Sequence, residues 1–243
     1  MSKTATERNF RQLDAREVVA TLELLVRRIR ERFPDSSLQR VCLELLAMGR
    51  EAHRRAAWIR RPHWALRGLV AGVILGILAA LLQAVRALEL PDTASTLAEF
   101  AQIADAGLNS LVYIGAALLF LVTVEGRIKR GRAQAALHEL RAMAHVVDMH
   151  QLHKDPYRVL PGAARTPSSP EVAGDAFLMS RYLDYCSEML ALIGKLAALY
   201  AQDCRDPAVL ASVDELESLT ADLSRKIWQK IALLAPSLQP RHP

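Results

Sequence analysis

The chain has 243 residues, 51% of them hydrophobic, a formal net charge of +5 and three cysteines. The length permits one large domain or two small ones, and cysteines as few and as scattered as Cys42, Cys186 and Cys204 exclude a disulfide framework. Ala, Leu, Arg and Glu dominate while aromatics are scarce, which is a helical vocabulary, and the positive residues gather beside two apolar segments instead of forming one stripe, which argues against nucleic acid as a partner.

Residues 1–62 read as a cytoplasmic helical hairpin. From Asp14 to Phe33 the residues Val18, Val19, Leu22, Leu25, Val26, Ile29 and Phe33 share one face of a helix, with Arg27, Arg28, Arg30 and Arg32 largely elsewhere. Pro34 ends that helix, and Asp35 with the two serines offers a cap for the next. There Leu38, Val41, Cys42, Leu45, Leu46 and Gly49 form a second apolar stripe. No cleavable signal is expected at the start, since charge is interspersed through Met1–Phe33.

Gly68 to Val85, GLVAGVILGILAALLQAV, contains no formal charge and with its flanks is long enough for a first transmembrane helix over 66–88. Trp58 and Trp64 stand just before it, at the depth where amphipathic rings anchor. Gly68, Gly72, Gly76, Ala80 and Ala84 recur every four residues, a nearly bare stripe that another helix can approach closely in lipid, with Gly115 as a counterpart in the next apolar run. An acidic external loop is expected over 89–106, in which Leu97, Phe100 and Ile103 hint at a short helix. GLNSLVYIGAALLFLVTV then gives a second span over 107–125. Arg50, Arg54, Arg55, Arg60, Arg61 and Arg67 precede the first span, and Arg127, Lys129, Arg130 and Arg132 follow the second. The excess of positive charge on these flanks places both ends of the chain in the cytoplasm, with the lipid bilayer itself as a partner, in the cytoplasmic (inner) membrane of a bacterium. Arg67 and Glu125 would then lie at one membrane depth, where they can pair.

Residues 126–154 are expected to continue the second span as a cytoplasmic stalk. Near its end stand His138, His145, Asp148, His150 and His153. His138, His145 and Asp148 share a helical face, but no recognised ligand pattern such as H-E-x-x-H accompanies them, so no metal and no cofactor is expected. Histidines near a helix C-terminus bond its last carbonyls and favour its dipole, and a pH-responsive contact is the other chemistry they offer. A Pro-rich linker is expected over 155–172. Beyond it, Met179, Leu183, Cys186, Leu190, Ile193, Ala197 and Tyr200 alternate by four and three, the spacing of a coiled-coil seam. Asp206-Pro207 reads as N-cap and first helical residue, and Val213, Leu216, Thr220, Leu223, Ile227 and Leu234 repeat the pattern. An antiparallel helical pair over 173–236 follows.

No phosphate-binding loop, nucleophile elbow or Cys–His pair occurs, so no enzymatic activity is expected. The fold expected is all-α: a two-pass transmembrane helical protein carrying cytoplasmic helical hairpins in a coiled-coil bundle. Two functions suit it: an adaptor or scaffold whose cytoplasmic helices associate with each other in a homo-oligomer or with a cytoplasmic protein, and an oligomeric pore or membrane-perturbing effector packed through the glycine ladder.

Overall fold

The computed structural model describes residues 12–60, 97–159, 175–202, 204 and 206–238, together with 68, 71–77, 79, 82 and 83. All regular elements among them are helical: α1 (Ala15–Arg32), α2 (Ser37–Arg60), α3 (Leu97–Leu152), a 3-10 turn (Pro156–Val159), α4 (Ala176–Ala201) and α5 (Pro207–Leu238). The chain divides into two compact units, residues 1–60 with 132–243, and residues 61–131.

Local chemistry sets the helix ends of the first unit. Asp14 caps α1 by accepting the Arg16 N–H at 2.8 Å, and Asp175 caps α4 by accepting from Leu178 at 2.9 Å. Asp206 accepts from Ala208 at 3.0 Å with Pro207 as the first helical residue of α5, as the dipeptide predicts. Between α1 and α2 the chain turns at Pro34, and Asp35 adopts a positive φ of 54°, which the short side chain of Asp tolerates. Ser36 then caps α2 by accepting from Gln39 N, while the Gln39 side chain reaches back to the Asp35 N–H. These reciprocal bonds resemble a capping box.

The core is assembled around α4. On α1 Val18, Leu22, Leu25, Val26 and Ile29 are buried, on α2 Leu38, Cys42, Leu45 and Leu46, and on α5 Val213, Leu216, Thr220, Leu223, Ile227 and Leu234. All seven residues of the spacing expected in α4, from Met179 to Tyr200, are buried too, but so are Tyr182, Tyr185, Ser187, Met189, Leu192, Leu196 and Leu199. A two-helix seam buries only a narrow stripe. α4 is enclosed on nearly every side, and so acts as the central helix of a bundle and not as half of a coiled coil. α1, α2 and α5 all pack against it, and α5 follows it through a short turn as an antiparallel neighbour. Two glycines permit this closeness. A Cβ at Gly49 of α2 would stand 2.8 Å from Leu22 Cδ1 and 3.6 Å from Leu196 Cδ2, and one at Gly194 would stand 3.2 Å from Thr220 Oγ1.

Residues 132–152 of α3 contribute Ala133, Ala136, Leu137, Leu140, Met143, Ala144 and Val147 to the same core. The Pro-rich stretch opens with the 3-10 turn Pro156–Val159, in which Asp155 accepts from the Tyr157 N–H at 3.1 Å, so its first residues are regular after all.

The second unit holds residues Leu97–Gly131 of α3 and the helical residues at 68, 71–77, 79, 82 and 83. α3 starts ten residues before the position expected for the second span, taking in half of the segment read as an external loop. Leu97, Phe100 and Ile103 keep helical spacing there, and no Gly or Pro intervenes before Gly107. Among the described residues no helix is long and apolar enough to cross a membrane. Positions 107, 109, 110, 113, 117, 121 and 122 of the second apolar run have side chains outside that description, as does most of 61–96.

Replacing Gly49 by Val should lower the thermal midpoint of the helical signal, with a cost of about 1–3 kcal/mol for forcing the Leu22 and Leu196 side chains aside. Gly49→Ala should cost less, because helix propensity offsets part of the clash. Circular dichroism melts of both variants check the order.

Candidate functional site: the end of the α3 helix

Three elements meet near the last turn of α3. Gln151 is 2% exposed. Lys230, on α5, donates to the Gln151 backbone carbonyl at 3.0 Å and to its side-chain Oε1 at 2.6 Å, while Gln151 Nε2 donates to Asp148 Oδ1 at 2.6 Å. The Gln151 carbonyl also accepts the Lys154 N–H at 3.0 Å, so the ammonium group adds a second bond at a helix C-terminus, where positive charge is also favoured by the dipole. Burial lowers the pKa of Lys230, with Asp155, Asp148 and the Cys186 thiol opposing that shift. Lys154 follows on the α3 side and lies 4.6 Å from the centre of the Tyr182 ring.

A second polar group ties α1 to α4. Arg28 reaches Glu188 through two bonds of 2.7 and 2.9 Å and lies 5.2 Å over the Tyr185 ring. Arg181 approaches the same ring at 5.1 Å while pairing with Asp184 at 2.6 Å. Phe33 meets Tyr182 and Tyr185 edge-on, with centroids 5.6 and 6.2 Å away. Arg141 of α3 pairs with Glu215 of α5 at 2.6 Å in a more exposed setting.

The residues expected to form a polar site separate on this geometry. Asp148 joins the Gln151–Lys230 cluster. His150 Nδ1 bonds the Val146 carbonyl at 2.8 Å, the local helix bond expected of a histidine near a C-terminus, which requires the proton on Nδ1. His138, His145 and His153 are exposed. Among the described residues no group of three His, Cys, Asp or Glu is placed to hold a metal ion. Gly68, Gly72, Gly76 and Gly115 are described, and a Cβ at any of them would meet nothing within 4 Å. Ala80, Ala84, Arg67 and the side chain of Glu125 lie outside the described residues, as do the rings of Trp58 and Trp64. Of the polar cluster, sequence patterns pointed to Asp148 but to neither Gln151 nor Lys230. Only the packing of α5 against the end of α3 joins positions 79 residues apart.

No known protein family, curated protein or solved structure matches this chain.

Desolvation pushes Cys42 and Cys186 up to about 12, which holds both as neutral, unreactive thiols at ordinary pH. A raised folded-state pKa contributes stability that is present below the unfolded value of 9.0 and is lost as pH climbs toward about 12.

Two outcomes follow. Lys230→Ala should destabilise the first unit by about 1–3 kcal/mol, since it removes the bond to the buried Gln151 Oε1; denaturant titration against Lys230→Arg, which retains a donor, measures it. The thermal midpoint should also fall as pH rises above 9, by up to about 1.4 kcal/mol per pH unit for each thiol. A Cys42→Ala, Cys186→Ala chain should show a flatter profile.

Proposed function

We propose that the protein is an integral membrane adaptor that crosses the bilayer twice, through residues 66–88 and 107–125, and presents its helical bundle to the cytoplasm as a scaffold for self-association or for a protein partner. One observation carries this reading. In α3, Leu108, Leu111, Val112, Leu119 and Phe120 are each between 62 and 70% exposed, on several sides of one helix. Leu75 and Leu82, in the first apolar run, are likewise exposed. The first unit gathers most of its large apolar residues in one continuous buried cluster, while Leu24, Met149, Leu152 and Trp228 stay exposed. Large apolar side chains exposed in this way are stable in hydrocarbon and costly in water, at roughly 1.5–3 kcal/mol for each. The backbone of a continuous helix also satisfies its own hydrogen bonds, as a lipid environment requires.

Orientation rests on charge. Both apolar runs are flanked on their outer sequence sides by arginine and lysine, and the segment between them carries Glu89, Asp92, Glu99 and Asp105 against Arg86. Among the described residues the side-chain geometry does not favour catalysis: Cys42 and Cys186 are buried, and the most enclosed polar cluster is spent on closing a helix end.

A second reading, an oligomeric pore or membrane-perturbing effector, is favoured by one feature. The faces of Gly68, Gly72 and Gly76 are open along a four-residue period, which suits close packing between copies.

A topology test decides the membrane reading. The chain should stay in membranes through alkaline carbonate extraction. A cysteine at Thr93 should react with a bulky maleimide from outside sealed cells, while one at Ser218 should react only after the membrane is opened. Extraction into the wash, or equal labelling of both sites, would overturn it. Conductance in planar bilayers then separates the two functions: a silent preparation supports the adaptor, and a conducting one lost on Gly72→Leu supports the pore.

A further inference from the structure

Beyond its apolar run α3 carries four cations in close succession: Arg127, Lys129, Arg130 and Arg132. One carboxylate, Glu125, stands before them and the next is Glu139, so the segment holds a clear excess of positive charge. Arg127, Arg130 and Arg132 are exposed and Lys129 is half-buried. At about 100° per residue the four side chains leave the helix at roughly 0°, 200°, 300° and 140° from Arg127, and they span about 8 Å of its axis. They form a collar around the helix and not a stripe along it. A Cβ at Gly126 or Gly131 would meet nothing within 4 Å, so no described side chain lies against the helix at either position.

We infer that this collar binds the anionic phosphate headgroups of the leaflet through which α3 leaves the bilayer, an inference that rests on the membrane reading above. Three features select a lipid surface as the occupant. The first is distribution: a protein partner covers one face of a helix, whereas a headgroup layer surrounds it and meets cations on every side. The second is height, since the headgroup region on each side of the hydrocarbon is about 5–8 Å thick, which matches the extent of the collar. The third is position. Leu119 and Phe120, 70% and 62% exposed, precede Arg127 by about 10–12 Å along the axis, at the depth of acyl chains when the collar lies among headgroups.

The side-chain chemistry fits that surface. Three of the four cations are arginines, whose planar guanidinium groups donate two parallel N–H bonds to a phosphate. Their aliphatic stems, with the 44% exposed Ile128 between them, lie against the boundary of the hydrocarbon while the charged heads reach outward. The preference is for lipids of net negative charge, because the ammonium group of a zwitterionic headgroup offsets its own phosphate. Each cation close to an anionic surface contributes roughly a factor of five. The attraction decays within about 8–10 Å at ordinary ionic strength, so salt weakens it.

The lipid held by the full chain tests this. The chain is placed in vesicles of phosphatidylcholine and phosphatidylglycerol and extracted into polymer-bounded discs, and the two lipids retained are quantified. Phosphatidylglycerol should be enriched severalfold over its share of the vesicle, and the enrichment should fade at high salt. Arg127→Gln, Lys129→Gln, Arg130→Gln and Arg132→Gln combined should lower it about twofold or more while the helical circular dichroism signal persists. Arg127→Lys, Arg130→Lys and Arg132→Lys combined keep the charge and should keep the enrichment. So should Arg16→Gln, Arg27→Gln and Arg30→Gln combined, which remove exposed cations of α1. Retained lipid at the vesicle ratio, enrichment indifferent to salt, or equal enrichment around the four-glutamine chain would overturn the collar. Carbonate extraction of the same vesicles reads the spanning proposal separately. A chain that stays in the vesicles with lipid at the bulk ratio keeps the membrane and loses the collar, and one that strips off loses both.

Discussion

The enclosure of α4 is the constraint on which the first unit depends. A helix of 26 residues whose apolar positions extend around nearly its whole circumference cannot be satisfied by one neighbour. It needs partners on several sides, and α1, α2 and α5 supply them. Each of those three turns one apolar stripe to the core and keeps its charge on the other faces, where Leu24, Leu43 and Trp228 are also exposed. Gly49 and Gly194 make the arrangement close enough to exclude water, since each stands where a side chain would press on a neighbouring helix. The caps at Asp14, Ser36, Asp175 and Asp206 fix where the helices begin, and therefore which residues reach this centre.

The polar groups act at the margins of that core. Arg28 and Glu188 meet with bidentate geometry, yet each is about one third exposed, so solvent screening limits what the pair contributes and its value lies in orienting α1 on α4. Lys230 differs because its partners are buried. Losing it strands the Gln151 amide oxygen, and the cost of an unmade bond in a dry place exceeds the net gain of a made one. The end of α3 is in this way held to α5 by a cation, where many helices use a glycine.

The contrast between the two faces of α3 connects fold to function. Where α3 passes through residues 132–152, one face belongs to the core and the other carries small residues, methionine, leucine and histidine beside Arg132 and Glu139. Within residues 97–131 the large side chains are exposed in several directions. Along α3 the described surface thus changes character near Gly126–Arg132, where four cations cluster.

Much of this was legible in the sequence. Periodicity predicted most of the buried stripes of α1, α2 and α5 and one of the buried faces of α4, because side chains at i, i+3, i+4 and i+7 share a helix face whatever packs against it. Asp206-Pro207 predicted a helix start for a reason equally local. Sequence spacing did not show that α4 is central, because Tyr182, Tyr185, Met189 and Leu192 fall off the 4–3 pattern and their burial depends on how many neighbours arrive. Nor did it show that α3 begins at Leu97, or that Lys230 closes the end of α3, since a partner 79 residues away has no local signature. The amino-acid order determined which surfaces are apolar and where helices start and stop. Only the tertiary structure decided which of those surfaces meet, because that choice is made by shape and burial between segments distant in the chain.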